Sequence, residues 1–183
     1  MMKRCVIDTN VMVTANKIVS AIDDDIVVRY PALVECCIKT LISISEKQVY
    51  VVLDEDDEIF NEYKVLLHFS GQPGVGDAFF KWLHDNRWSF PASERIKLHK
   101  TNDSYTEFPI EMEVENVDVS DKMFFAISNA HPAKPAILEA ADTKWWKWKE
   151  AAVKCGISIV FMDEDYMRDH NPDMETSIAD SKF

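Results

Sequence analysis

Cys5-Val6-Ile7-Asp8-Thr9-Asn10 is the stretch from which the fold is read. Three consecutive apolar residues, two of them β-branched, have the pattern of a strand buried on both faces of a parallel sheet. The run stops at a carboxylate, a hydroxyl and an amide. In an open α/β sheet, ligands bind in the crevice beyond the carboxyl ends of the strands. Asp8 is therefore expected at the rim of that crevice, on the first and central strand. Asp, Thr and Asn also start turns and cap helices, so the stretch has a purely structural reading too. Carboxylates at equivalent places later in the chain would decide between the two.

The composition suits such a sheet. A chain of 183 residues, 47% hydrophobic and 28% charged, has the balance of one globular domain with a sizeable core. No apolar run approaches the roughly 18 residues that a membrane helix needs. Met1-Met2-Lys3-Arg4 is followed by too few apolar residues for a signal-peptide core. Cys5, Cys36, Cys37 and Cys155 lack zinc-like or redox spacing and read as small core residues of a reduced, cytoplasmic protein. The net charge of −12 opposes nonspecific nucleic-acid binding, which draws on a basic excess. Acids gathered in one site and offset by a divalent metal would reconcile the two. So would an acidic surface facing a basic partner, or basic residues clustered on one rim.

Along the chain, Val11 to Lys17 fits a loop or a short helix, and Asp23-Asp24-Asp25 a solvated turn. From Pro31, the residues Leu33, Val34, Cys37, Ile38, Leu41 and Ile42 form one stripe of an amphipathic helix. Gln48 to Leu53 is a second strand, parallel to the first by the right-handed βαβ rule. It ends in Asp54-Glu55-Asp56-Asp57-Glu58 and leads into a helix from Ile59 to about Phe69 that carries Glu62. Gly71-Gln72-Pro73-Gly74-Val75-Gly76 is a loop without the lysine or spacing of a phosphate cradle. A helix from Ala78 to about Asn86 follows; residues 89–115 lose periodicity, as a long functional excursion would.

Asp118 or Ser120 can cap the next helix, which carries Asp121. Pro135 to Ala140 is a short strand that runs into Asp142-Thr143. Trp145, Trp146 and Trp148 lie on the helix after it, mainly as core. Gly156 to Met162 is the last strand, ending at Asp163-Glu164-Asp165, and residues 166–183 form a polar, loosely ordered tail. Acids thus follow strand after strand and would converge at one edge of a parallel sheet. Unpaired, they repel; protonation or a hard cation relieves them. All-oxygen ligation selects Mg²⁺ or Mn²⁺ over zinc, and those ions serve phosphoryl chemistry.

In that order, the motifs resemble a PIN domain, the metal-dependent ribonuclease fold of many bacterial toxins. The motifs are the strand before Asp8-Thr9-Asn10, with Val11 to Asn16 after it; Leu53-Asp54-Glu55 with Ile59-Phe60-Asn61-Glu62-Tyr63; Asp121 to Ala126; and Ile137 to Trp146 with Asp142. The resemblance covers roughly residues 3–165. It implies a three-layer α/β/α sandwich around a mostly parallel sheet of order 3-2-1-4-5, forming one domain over 1–165, with 89–115 as an inserted loop and 166–183 as a tail. It further implies that Asp8, Glu62, Asp121 and Asp142 hold Mg²⁺ or Mn²⁺ and activate a water against RNA. Thr9, Asn10 and Thr143 would orient these groups, with Asp118 and Asp163 as reserves. The expected function is an endoribonuclease, a toxin or defence effector, acting on RNA and partnered by an antitoxin or other neutralising protein or by a second copy as a homodimer, with no membrane.

Lys144 departs from the family pattern, in which many members carry another acid two residues after the fourth. It supports the alternative of an inactive PIN-like protein that binds protein or RNA. Asn10 argues against a haloacid-type phosphatase, which would want a second Asp there, and the few apolar residues before Asp8 argue against a receiver domain.

Overall fold

The computed structural model describes residues 3–20, 25–47, 49–70 and 74–171. Strand β1 (Arg4–Ile7) lies at the centre of a four-stranded sheet, parallel to β2 (Tyr50–Val51) on one side and β5 (Ala136–Glu139) on the other. Strand β6 (Ile159–Phe161) adds in parallel to β5. A second, two-stranded parallel sheet pairs β3 (Leu53–Asp54) with β4 (Arg95–Ile96). The chain is therefore an α/β protein with a parallel sheet, compatible with a three-layer sandwich. Cys5, Val6 and Ile7 are fully buried, as the apolar run requires.

Residues from Thr9 onward form helix α1 (Thr9–Ser20), which the sequence leaves open between loop and helix. A short helix α2 (Asp25–Arg29) follows, opened by an exposed Asp25 paired with Arg29; Asp23 and Asp24 of the expected turn lie outside the described residues. Helix α3 (Pro31–Glu46) starts at its proline and buries Leu33, Val34, Cys37, Leu41 and Ile44. Helix α5 (Val75–Asn86) packs on α1 through Gly76, where a Cβ would stand 2.0 Å from the Met12 carbonyl oxygen. Gly74 meets Asn16 as closely, so these glycines serve helix packing. Residues 71–73 of the expected loop lie outside the described residues, as does Gln48 at the head of the second strand.

Between β3 and α5 runs helix α4 (Glu58–Leu66), which ends three residues before the expected Phe69. Helix α6 (Val119–Ala130) packs directly on β1 and β5. Helix α7 (Trp145–Lys154) buries Trp145 and Trp148 against Phe125, with Trp145 stacked on that ring at 4.8 Å. Two buried tryptophans of roughly 200 Å² each contribute about 5 kcal/mol apiece in gross hydrophobic stabilisation. The Trp148 indole N–H also donates to the Glu115 carbonyl, so the core tryptophan has a polar partner. Trp146 is half-buried against Phe161.

The first residues of the expected loose tail belong to the fold. Helix α8 (Glu164–Asp169) buries Tyr166 and Met167, and Tyr166 meets Tyr30 edge to face. Tyr30 and His170 also share a hydrogen bond of 3.0 Å. An aromatic pair concealed among charged residues thus holds the segment on the domain. Residues 172–183 lie outside the described residues. No helix among the described residues is long and apolar enough to cross a membrane. The excursion over 89–115 contributes β4 and a 3-10 segment from Ile110 to Glu115 that packs on α7.

Candidate active site

Parallel strands deliver their carboxyl ends to one edge, and register then decides which residues meet there. Ile7 pairs with Leu138, so the next residues, Asp8 and Glu139, stand side by side where β1 and β5 end. Both are buried, Asp8 at 2% exposure and Glu139 at 0%. The Asp8 N–H continues the ladder to the Leu138 carbonyl at 2.9 Å. Asp8 Oδ1 accepts from the Asn10 N–H at 2.8 Å, and Glu139 Oε1 accepts from the Asp142 N–H at 2.9 Å. Glu139 Oε2 is buried without a hydrogen-bond donor.

Burial pushes the Asp8 carboxyl up to about 7, against the hydrogen bonds from Glu139 and Asn10, and the charges of Asp121 and Glu62 push the same way. Glu139 is raised well above the usual carboxylate range by burial and by the charge of Asp8. Two buried carboxyls in contact retain a proton between them near neutral pH.

Helix α4 brings the second acid. Its N-terminus is fixed by Asp54, whose buried carboxylate accepts from the Glu58 N–H at 2.7 Å and the Ile59 N–H at 2.9 Å. The first acid after the second strand is thereby used as a helix cap, worth about 1 kcal/mol. One turn further on, Tyr63 donates to the Ile7 carbonyl at 2.5 Å, and Thr9 donates its hydroxyl to Glu62 Oε1 at 2.7 Å. These two bonds lay α4 against the end of β1 and aim Glu62 at the edge that holds Asp8. Burial raises the Glu62 carboxyl, the Thr9 hydroxyl opposes the rise, and the charge of Asp121 adds to it.

Helix α6 brings the third. Asp118 occupies the N-cap position without capping through its side chain; the expected cap does not form, because that carboxylate turns to Lys144 instead. Asp121, in the first turn, is 6% exposed. Burial pushes its carboxyl up to about 6 despite Lys144, and Asp142 and Asp118 add to the rise. The fourth acid, Asp142, lies in the turn between β5 and α7, half-buried. Thr143 enters that turn through its carbonyl, which accepts from the Trp146 N–H. Asp163, the remaining reserve, caps α8 through the Tyr166 N–H at 2.9 Å.

Lys144 closes the arrangement. Its ammonium lies 2.9 Å from Asp121 Oδ2 and 3.1 Å from Asp142 Oδ2, and it is bonded to Asp118 Oδ2 as well. Burial works against the charged form, but the three carboxylates prevail and hold the ammonium above the ordinary lysine range. The structure thus gathers Asp8, Glu62 and Asp121 within reach of one another's charge, and joins Asp142 to Asp121 through a lysine.

Compared with family models, with curated proteins and with solved structures, the chain matches none.

Among the described residues, no three His, Cys, Asp or Glu side chains stand ready as a metal cage. The donor set nevertheless suits a hard divalent cation. It is all carboxylate, burial opposes the ionisation of Asp8, Glu62 and Asp121, and one cation, the Lys144 ammonium, already stands against two of its acids, Asp121 and Asp142. Glu139, which the sequence reading passed over, is the most buried acid of the group. A legible signal existed: Ile137-Leu138-Glu139 repeats the pattern of Val6-Ile7-Asp8, two apolar residues and an acid at the end of a parallel strand.

Proposed function

We propose that this chain is a PIN-type endoribonuclease that hydrolyses RNA with Mg²⁺ or Mn²⁺ held by Asp8, Glu62, Asp121 and Asp142. One observation carries the reading. Asp8 after β1, Glu62 of α4 and Asp121 of α6, with Asp142 beyond β5, converge on the carboxyl edge of a parallel sheet, and burial opposes the ionisation of the first three. Such a group costs stability unless a cation or a proton relieves it.

The strand arrangement supports the same reading. The Val52 N–H donates to the Cys5 carbonyl at 2.9 Å, so the chain from Tyr50 to Asp54 runs on beside β1 between its two strand segments. If the two segments are counted as one strand, the separate four- and two-stranded sheets would join in an order compatible with the 3-2-1-4-5 that the resemblance implies. RNA as the substrate rests on the resemblance of the four motifs to PIN-domain ribonucleases.

Bound at these acids, a metal would supply an activated water and stabilise charge on a phosphodiester. The chain's own residues set the stage for that chemistry. The Asn10 N–H and the Thr9 hydroxyl each engage one oxygen, of Asp8 and Glu62 respectively, and so fix the two carboxylates in orientation. The Asp8–Glu139 pair takes up or releases a proton near neutral pH.

The test incubates wild type and Asp8→Asn with pooled RNA and single-stranded DNA, in Mn²⁺ or EDTA. The expected result is RNA cleavage leaving 5′-phosphates, lost in EDTA and reduced more than about a hundredfold by the substitution, since even partners of metal ligands are worth 10–100-fold. Cleavage that persists in EDTA, or no cleavage with no Mn²⁺ binding, refutes the proposal. The second outcome would favour a binding module, the reading that Lys144 supports by neutralising the acids from within.

A further inference from the structure

The proposed metal site already contains a cation that belongs to the chain. An ammonium has three N–H donors, and that of Lys144 meets three carboxylates, one each from Asp118, Asp121 and Asp142. Two of those acids belong to the proposed ligand set. A divalent ion held by Asp121 and Asp142 and an ammonium ion-paired with the same two carboxylates repel each other strongly at contact distance. The two occupancies therefore exclude each other.

The lysine has a way out. Its side chain is 32% exposed, and Asp118, its outermost partner, is 56% exposed. Its backbone lies in the ordinary right-handed helical region, with φ −62°, and its N–H is held by Asp142 Oδ1 at 3.3 Å. Four flexible methylenes let the ammonium move to solvent while that backbone stays in place. Asp118 has an anchoring role in the same device: it leaves the α6 N–H groups uncapped by its side chain and takes the lysine instead.

Resting on the metal reading above, we infer that Lys144 is a tethered counter-cation that closes the site in the metal-free protein, so that metal binding is an exchange in which Lys144 leaves. The exchange explains why the acids are gathered without forming an open cage. It also makes Lys144 and Asp118 the residues that set how much free metal the protein needs.

Titration calorimetry with MnCl₂ alone, without RNA, tests this on wild type, Lys144→Met and Asp118→Asn, with thermal unfolding in EDTA and in Mn²⁺ alongside. Methionine keeps the length of the stem and removes the charge. Lys144→Met is expected to bind Mn²⁺ about tenfold more tightly or better, to melt below wild type in EDTA, and to show the larger upward shift on adding Mn²⁺. Asp118→Asn, an exposed change that spares the core, is expected to shift affinity the same way by about threefold, because it loosens the lysine without removing it. Equal or weaker Mn²⁺ binding by both variants overturns the inference and leaves the metal reading standing. No Mn²⁺ binding by any of the three overturns both.

Discussion

Replacing Glu139 by Gln tests the buried acid pair directly. Raised carboxyl pKa values have a definite consequence for stability. Between the ordinary Asp value of 3.8 and the folded value of about 7, the native protein holds a proton that the unfolded chain has released. Stability therefore falls as pH rises through that window, and it goes on falling above it while Glu139, raised well above the ordinary carboxylate range, keeps its proton. At 1.36 kcal/mol per pH unit for one proton, Asp8 alone should cost the metal-free protein about 2 kcal/mol between pH 5 and pH 7, and Asp121, pushed up to about 6, adds to the loss. Burial raises the carboxyls of Glu58, Glu94 and Glu107, but bonds from Lys100, Arg4 and His99 respectively outweigh it and leave all three lowered from 4.5. Their contribution is complete above that value and is lost as pH falls below it, so it does not enter the range from pH 5 to pH 7.

In Glu139→Gln the amide oxygen can still accept from the Asp142 N–H, and the amide N–H₂ can donate to Asp8. The native pair then no longer needs the shared proton. Urea unfolding in EDTA, followed by tryptophan fluorescence at pH 5, 6, 7 and 8, reads the effect. The variant is expected to halve the slope or better and to exceed wild type by about 2 kcal/mol at pH 8. A wild-type stability that stays level or rises from pH 5 to 7 refutes the reasoning. So does a variant destabilised equally at every pH, which would make Glu139 only an acceptor for the Asp142 turn.

Mn²⁺ binding is expected to release protons and to tighten from pH 6 to pH 8, by at most about tenfold per unit, because Asp8 and Asp121 must ionise first; calorimetry in buffers of different ionisation heat counts the protons, and a flat profile refutes it. Thr9→Val removes the donor to Glu62 Oε1 and is expected to cut RNA cleavage about tenfold while costing about 1 kcal/mol in urea unfolding. Arg4→Ala strips the bidentate partner from Glu94, which is 1% exposed beside His131, and is expected to cost about 3 kcal/mol. Because Arg4 begins the strand that Asp8 follows, Mn²⁺ affinity measured on the same variant should hold at the wild-type value.

Where a segment's burial imposes a period, the sequence showed it. The apolar run before Asp8, the α3 stripe opened by Pro31 and the tryptophans of α7 are all of that kind. Strands of two residues carry no period, so β4 inside the excursion and the break at Val52 went unseen. The acids are harder, because a helix cap and a metal ligand are the same residue at the same strand-to-helix turn. Asp54 and Asp163 look like Asp8 in sequence, yet Asp54 spends its oxygens on two backbone N–H groups and Asp163 accepts from Tyr166.

What separates the two kinds is the supply of donors. Glu139 Oε2 is buried without one, Glu62 has the Thr9 hydroxyl, and Asp121 meets the Lys144 ammonium. A carboxylate with its oxygens fully engaged by N–H groups is finished structure. Carboxylates buried together with oxygens to spare must be completed by a proton or a cation; here Lys144 and the Asp8–Glu139 proton complete them, and a metal bound at the proposed site would take their place.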